Sequence, residues 1–429
     1  MKIDLPYLDR TFPLEFPDEN LMALAEPNEF ISAGDSGFLL QEALSHAIGS
    51  DGKPGPGLRE FLQGGSRILV ILNDATRPTP TEAMLKVLLR DIEEAGLKDD
   101  MLTFIIATGG HRAPTEAEYK QILGCFCERL RKRCVYHDSR KSEDMVDLGK
   151  TRNGTPILLN KILFEADRII ATGSVEPHYH AGFTGGRKAF LPGTAAYITI
   201  QTNHTRALSP KARALALEGN PVHEDMMDAL ALIKAPVFAL MSVLDKKQGV
   251  AAATAGDIGT SFYAAVEIAR KIFCVSVPAK ADIVVSVAKF PMDIDLYQSQ
   301  KAIDNGAVAL KDGGTLILVS ACREGVGDET YAKLLMQSSS PQDAIKRIEA
   351  GYKLGYHKAA KMAEVSARAT VRAVTQIPPE QLAGMFIKSA ASPQEALNEA
   401  LDEARSRGIK TPKIIILPDG CITIPDAGE

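Results

Sequence analysis

A chain of 429 residues is longer than one hydrophobic core ordinarily organises, so two domains are expected. Hydrophobic residues make up 45% and charged residues 24%, and a net charge of -5 creates no field that would gather nucleic acid or an anionic membrane. A small-molecule partner in a cleft between domains is the expectation left standing.

The stretch MKIDLPYLDRTFPLEFPDEN interleaves acids and prolines where a secretory leader needs an unbroken apolar core, and no apolar run approaches the roughly 20 residues that span a bilayer. A cytoplasmic protein is expected. Six cysteines are too sparse for a disulfide scaffold. Three of them, Cys125, Cys127 and Cys134 in GCFCERLRKRC, lack zinc-knuckle spacing and read as buried, reduced thiols on a helix followed by a strand.

Along the chain, β-rich apolar runs alternate with turns and helical patterns, the rhythm of βα units in a mostly parallel sheet. RILVILND leads through ATRPTP into TEAMLKVLLRDIEEAG, MLTFIIAT leads through GGHRAPT into EAEYKQILG, and ADRIIATG leads into SVEPHYHAGFTGGRKAFLPG. APVFALMSVL and KIFCVSV add strands. SVPAKA, residues 276–281, has linker composition, and ADIVVSVAKFP, DLYQSQKAIDNGAVAL and GTLILVSA then restart the rhythm. The expected fold is therefore α/β in two domains, over 1–277 and 282–429, each a mostly parallel sheet flanked by helices. Residues 328–409 read as mostly helical. The closing strand PKIIILP, within 411–420, fits either sheet.

Polar residues collect where strands end. Asp74, Thr76 and Arg77 follow the first strong strand, His111 the second, His178 to Lys188 the third, and Tyr297, Gln298 and Lys301 the first strand of the second domain. Open α/β sheets bind ligands beyond the carboxyl ends of their strands, so these four loops are expected to face one site in the interdomain cleft. Arg77, stiffened by Pro78 and Pro80, offers a planar fork for a carboxylate with Asp74 as an acceptor beside it. The plainer alternative is a surface arginine next to a helix capped by Thr79 or Thr81. His111, behind two glycines, suits proton transfer near neutral pH, or capping of the next helix. Tyr297, Gln298 and Lys301 share one helical face, and Lys301 would bring a second cation towards Arg77; an exposed amphipathic helix would show the same spacing.

In the third loop, Gly182, Gly185 and Gly186 let backbone N–H groups approach an anion. The Walker pattern is absent, because Lys188 is flanked by Arg187 and Ala189, which leaves Lys188 as an ion-pair partner or a covalent anchor. His178, His180 and His204 are spaced H-x-H-x23-H, weak support for a metal without the helix-borne acid of metalloproteases.

DATRP, TGGHRAPTEAE, PHYHAGFTGGRKAFLPG with a histidine sixteen residues past its lysine, MDIDLYQSQKA and IIILPDG occur in that order. Together they resemble the lactate racemase family, whose members use a nickel-pincer nucleotide (a pyridinium-3-thioamide-5-thiocarboxylic acid mononucleotide nickel complex). The resemblance implies that Lys188 anchors this cofactor through a covalent thioamide, beside Gly182, Gly185 and Gly186, and that His204 completes the coordination of nickel. It implies His111 and His178 as paired acid/base residues, and Arg77 and Lys301 as carboxylate binders supported by Asp74, Tyr297 and Gln298. The implied enzyme is an isomerase that inverts the α-carbon of a 2-hydroxy acid by hydride transfer through a flat 2-keto acid, with cofactor-building enzymes as maturation partners. Such a route makes chemical sense, since proton removal beside a carboxylate would create a poor carbanion. Position 180 is His where related loops commonly carry an aromatic such as Phe, and reads as a replacement packing under the loop or as a tuning residue. A metal-dependent hydrolase or lyase built on His111, His178 and His204, or an organic-acid-binding protein without turnover, are the competing readings.

Overall fold

The apolar runs become the central strands of two separate sheets in a computed structural model that describes residues 1–427 apart from 31, 33 and 354. Chain contacts divide the protein into one unit over Glu29–Ile272 and a second that joins Met1–Asn28 to Phe273–Glu429.

In the Glu29–Ile272 unit the sheet order is Val250–Asp257, Val237–Leu244, Arg168–Ser174, Ile68–Asn73, Leu102–Ala107 and Cys134–Tyr136. Every neighbouring pair is parallel except Val237–Leu244 with Val250–Asp257, an antiparallel edge. Ile68 to Leu72 are all buried, as expected of a central parallel strand covered on both faces. The helix Thr81–Glu94 buries Met84, Leu85, Leu88 and Ile92 at helical spacing against that sheet.

The second sheet runs Ile387–Ser389, Thr370–Val374, Leu310–Val319, Ala281–Val287, Ile414–Leu417 and Leu21–Leu24, parallel throughout. The closing strand therefore belongs to the C-terminal sheet, and it is an inner strand there. Expectation and structure part company over residues 1–28. Leu21–Leu24 pairs with Ile414 to Ile416, and the hairpin of Lys2–Tyr7 with Arg10–Glu15 buries Leu5 and Leu14 in the same core as Ile283, Ile317 and Ile416. Asn20 even donates to the carbonyl of Pro412, 392 residues away, a pairing that no local pattern encodes.

Smaller corrections have local causes. Lys271 to Phe273 finish the helix Ile258–Phe273, leaving only Cys274–Ser276 extended in KIFCVSV. The helical stretch 328–409 also contains the strands Thr370–Val374 and Ile387–Ser389, whose short apolar runs are submerged in Ala- and Lys-rich flanks. Of the clustered cysteines only Cys134 is buried; Cys127 is partly covered and Cys125 is exposed, in a turn where its N–H donates to Glu82. Among the described residues no helix is long and apolar enough to cross a membrane.

Ile416 is fully buried between neighbouring strands, so Ile416→Ala should cost about 2–5 kcal/mol through lost contacts and a cavity. Chemical denaturation should show that loss in the transition of the unit formed by Met1–Asn28 and Phe273–Glu429, with the other unit's transition unmoved.

Candidate active site

The strand Ile68–Asn73 delivers Asp74 into a tight turn. Thr76 donates to Oδ1 of Asp74 from its backbone N–H (3.2 Å) and its hydroxyl (2.6 Å), while Nδ1 of His111 lies 2.5 Å from Oδ2. The Asp74 side chain is only 9% exposed, against 52% for His111. Burial pulls the Asp74 pKa upward, but the hydrogen bond and charge of His111, aided by Thr76 and Arg77, hold it below its ordinary value. A carboxylate at Nδ1 places the ring proton there and leaves Nε2 of His111 as the acceptor, the arrangement of an oriented base. Arg77 is half-buried, and its N–H donates to the Asp74 carbonyl at 3.1 Å.

The alternative roles for these residues are taken by others. The helix Glu116–Leu123 is capped by Thr115 in a capping box with Glu118, so His111 is not its cap. Thr79 bonds Asn73 and Ser174, and Pro80 stands at the cap position of Thr81–Glu94, so neither Thr79 nor Thr81 caps that helix.

The glycine-rich segment begins as a short hairpin, Pro177–His178 against Gly182–Phe183. Gly182 has φ +76°, and a Cβ there would stand 2.2 Å from the Ala216 carbonyl oxygen; at Gly185, φ +81°, it would stand 2.5 Å from Cγ2 of Val175. Close packing by itself therefore requires glycine at both. Gly186, also buried, opens the turn Gly186–Ala189 that carries Lys188. Arg187 turns inward and is 1% exposed. Its guanidinium donates to the carbonyls of Ala181 (2.7 Å), Thr184 (3.2 Å) and Gly185 (3.2 Å) and to Nδ1 of His223 (3.1 Å), and stacks 4.2 Å from the Phe262 ring centroid. It clamps the loop from within.

Nδ1 of His178 accepts the N–H of Ala181 at 3.3 Å, which puts the proton of the neutral ring on Nε2. His180 is buried under the loop, its ring edge-on to His178 at 4.5 Å and to His204 at 5.1 Å, so it packs against both neighbouring imidazoles. His204 lies on the helix Tyr197–Thr205, with Nδ1 2.9 Å from the Ile200 carbonyl. That contact takes the Nδ1 proton and leaves the lone pair on Nε2. Burial first, then the Lys188 ammonium, pushes the His204 pKa down to about 4, against the opposing pull of the Ile200 carbonyl. The ring is neutral at physiological pH.

Sequence reasoning missed the support beneath this helix. Asn203 donates to Val222 and Asp225, and buried Asp225 also accepts from Thr155 (2.5 Å) and Asn153 (3.1 Å). The partners come from three separate segments, and only the Asn220–Pro221 helix start gave a local signal. In the other unit, Asp295 caps the helix Leu296–Gly306 by accepting from the Gln298 N–H at 2.6 Å. Tyr297, Gln298 and Lys301 are all partly buried there, and Lys301 Nζ lies 3.3 Å from the Met292 sulfur. Burial raises the Tyr297 pKa, keeping the phenol neutral.

The Glu29–Ile272 unit thus brings His111 and Arg77 to the Asp74 carboxylate, sets His204 in the electrostatic field of Lys188 and His111, and links His204 to His178 through His180. Tyr297, Gln298 and Lys301 form their own group in the second unit. Among the described residues, no three His, Cys, Asp or Glu side chains gather closely enough to hold a metal ion. The hydrolase reading thereby lacks its protein ligand set, and a metal at His204 would need donors from a cofactor.

Residues 7–215 match the family model of the lactate racemase N-terminal domain, and residues 277–424 that of the lactate racemase C-terminal domain. Lactate racemases of Thermoanaerobacterium thermosaccharolyticum and Lactiplantibacillus plantarum are each 30% identical to the chain, over 98% and 97% of it and 98% of either relative. The solved structure of the lactate racemase apoprotein from T. thermosaccharolyticum matches with a TM-score of 0.91 at 30% identity, covering 99% of this chain and 100% of that one. A crystal structure from Thermotoga maritima, 20% identical with a TM-score of 0.66, covers 92% of this chain and 99% of its own and shares the fold. By class, then, the protein is an isomerase with a two-domain α/β architecture. It belongs to the lactate racemase family.

Variants at two positions probe the site's framework. Arg187→Met strands three loop carbonyls and His223 Nδ1, at about 1–3 kcal/mol per buried unsatisfied group, and should lower the melting temperature by many degrees; Arg187→Lys, lacking the fork, should not restore it. Asp74→Asn tests linkage. Because the folded pKa lies below the ordinary 3.8, the carboxylate stabilises the fold fully above that pH and loses its effect as pH falls through the folded value. The stability gap between wild type and Asp74→Asn should therefore be present near neutrality and close below pH 3.8, as followed by denaturation across pH.

Proposed function

We propose that the protein interconverts the enantiomers of lactate, the substrate named for its relatives, with a nickel-pincer nucleotide tethered to Lys188 and His204 as the protein ligand of nickel. The observation that carries this reading is the neutral His204 ring, its Nδ1 proton committed to Ile200 and its lone pair on Nε2, in the field of the Lys188 ammonium. An imidazole oriented by a carbonyl in this way suits nickel held otherwise by soft sulfur donors. Gly182, Gly185 and Gly186 would supply backbone to the same cofactor. When bound, the cofactor supplies a reversible acceptor for the α-hydrogen and its electron pair.

The chain's own residues supply binding and proton transfer. Arg77 offers the fork for the substrate carboxylate, and Lys301, with Tyr297 and Gln298 beside it, supplies the second cation. Nε2 of His111, oriented by Asp74, takes the hydroxyl proton, while His178 presents Nε2–H to return one. The partners at Nδ1 select opposite tautomers in the two rings, so one begins as base and the other as acid. Inversion through a planar 2-keto acid needs that pair, because the hydroxyl of each enantiomer meets a different side of the site. A keto acid held through its carboxylate stays bound between the half-reactions. The reading carries with it a cytoplasmic setting and maturation by cofactor-building enzymes.

The test is protein produced together with those enzymes, examined by intact mass, metal analysis and chiral chromatography of D- and L-lactate. About one nickel per chain and a covalent mass addition that vanishes in Lys188→Ala are expected. His111→Ala and His178→Ala should each lower kcat by about 10²–10⁴-fold, the usual contribution of a general acid or base. Matured protein carrying neither nickel nor added mass, and leaving lactate optically unchanged, overturns the proposal.

A further inference from the structure

We propose that Lys358, which no motif singled out, is a positioning residue for the carboxylate-binding end of the helix Leu296–Gly306, acting through Tyr297 and Lys301. The inference rests on the function proposed above. Lys358 lies on the helix Tyr356–Arg368 and is 2% exposed, and an ammonium so deeply placed needs compensation for lost hydration. Its Nζ donates to the Tyr297 carbonyl and also stands 4.0 Å from the centroid of the Tyr297 ring. One cation thus grips both the backbone and the side chain of a single residue. Tyr331 meets the same ring edge-on at 5.7 Å, so the phenol is confined on two sides.

The two helices are also latched in the reverse direction. Gln300 donates from Nε2 to the Lys358 carbonyl at 2.8 Å and to Asp304 Oδ1 at 3.4 Å. Lys358 therefore fixes the first turn of the helix just past its Asp295 cap, where Tyr297 and Gln298 emerge, one turn before Lys301.

Electrostatics give the grip a second effect. Burial works most strongly against the Lys358 charge, the Lys301 ammonium follows, and Asp304 and Asp295 oppose them. Asp304 is itself pushed towards the neutral form by burial, which weakens the compensation. Two ammonium groups that repel each other in a buried neighbourhood favour an arriving carboxylate, which relieves the repulsion. Lys301 would meet that carboxylate, with Lys358 behind it as support and as a source of positive potential.

The experiment uses the full-length, cofactor-loaded enzyme with lactate. Lys358→Met should raise KM about tenfold or more, the loss expected from a charge-assisted contact, while kcat changes by less than about threefold. Lys358→Arg should recover most of the lost affinity. Should Lys358→Met fail to fold, Lys358→Gln, which keeps a donor but no charge, should show the same rise in KM. Isothermal titration of the full chain with pyruvate should report a matching weakening of Kd without any turnover. A folded variant with unchanged KM and unchanged pyruvate binding overturns the positioning role, as does a fall in kcat and melting temperature with KM intact. Wild-type protein that neither racemises lactate nor binds pyruvate overturns the proposed function, and this inference with it.

Discussion

A guanidinium buried among backbone carbonyls fixes the geometry of the glycine-rich loop. Removing an arginine from water costs several kcal/mol unless every donor finds a partner, and Arg187 finds its partners in the carbonyls of Ala181, Thr184 and Gly185 and in Nδ1 of His223. The loop cannot shift without stranding that charge. His178 precedes the clamped segment and Lys188 follows Arg187 directly, so the proposed acid and the proposed anchor inherit their positions from the same contact. The clamp also persists well to the acid side of neutrality. His223 must stay neutral for Nδ1 to accept, and burial followed by the nearby Arg187 charge pushes its pKa down to about 3.

A second principle organises the imidazoles. Each of the three proposed functional rings has Nδ1 committed to a different partner: a carboxylate for His111, a backbone N–H for His178 and a helix carbonyl for His204. Chemically identical side chains thereby acquire separate duties, since the partner at Nδ1 decides whether Nε2 holds a proton or a lone pair. The support for each ring comes from its own element. Asp74 belongs to the turn after a central strand, the N–H at His178 belongs to its own hairpin, and Ile200 lies one turn back along the helix of His204. Below that helix, Asp225 collects Asn153, Thr155 and Asn203, anchoring it through polar contacts in the interior.

What could be read from the sequence depended on how far apart the interacting residues stand. Ile68–Asn73 and its helix Thr81–Glu94 were legible because apolar spacing and turn residues act within about 30 residues, the scale of a βα unit. The address of Asp74, Arg77, His111 and Lys188 was legible for a related reason, as loops after parallel strands share one edge of the sheet. Leu21–Leu24 was not legible, because its partner Ile414–Leu417 lies near the other end of the chain. Val250–Asp257 escaped notice because AAATAGD has few of the branched residues that mark strands. Arg187 looked like one more cation beside the glycines, and only tertiary structure shows it pointing inward. Lys358 lay hidden for the opposite reason, as HKAAK reads like a solvated helix face.

Histidine at position 180 shows how closely such a framework is packed. The slot under the loop demands a flat ring, since His180 meets His178 and His204 edge-on within 4.5 and 5.1 Å and is 1% exposed. An imidazole and a phenyl ring both satisfy that shape. Its backbone is held independently of ring chemistry, because the His180 carbonyl accepts from Asn220, which also caps the helix Pro221–Ala231. Planarity and volume are therefore constraints at this position. Two neighbouring imidazoles and a bonded backbone together define the slot, so a change of ring volume at position 180 would press directly on His178 and His204.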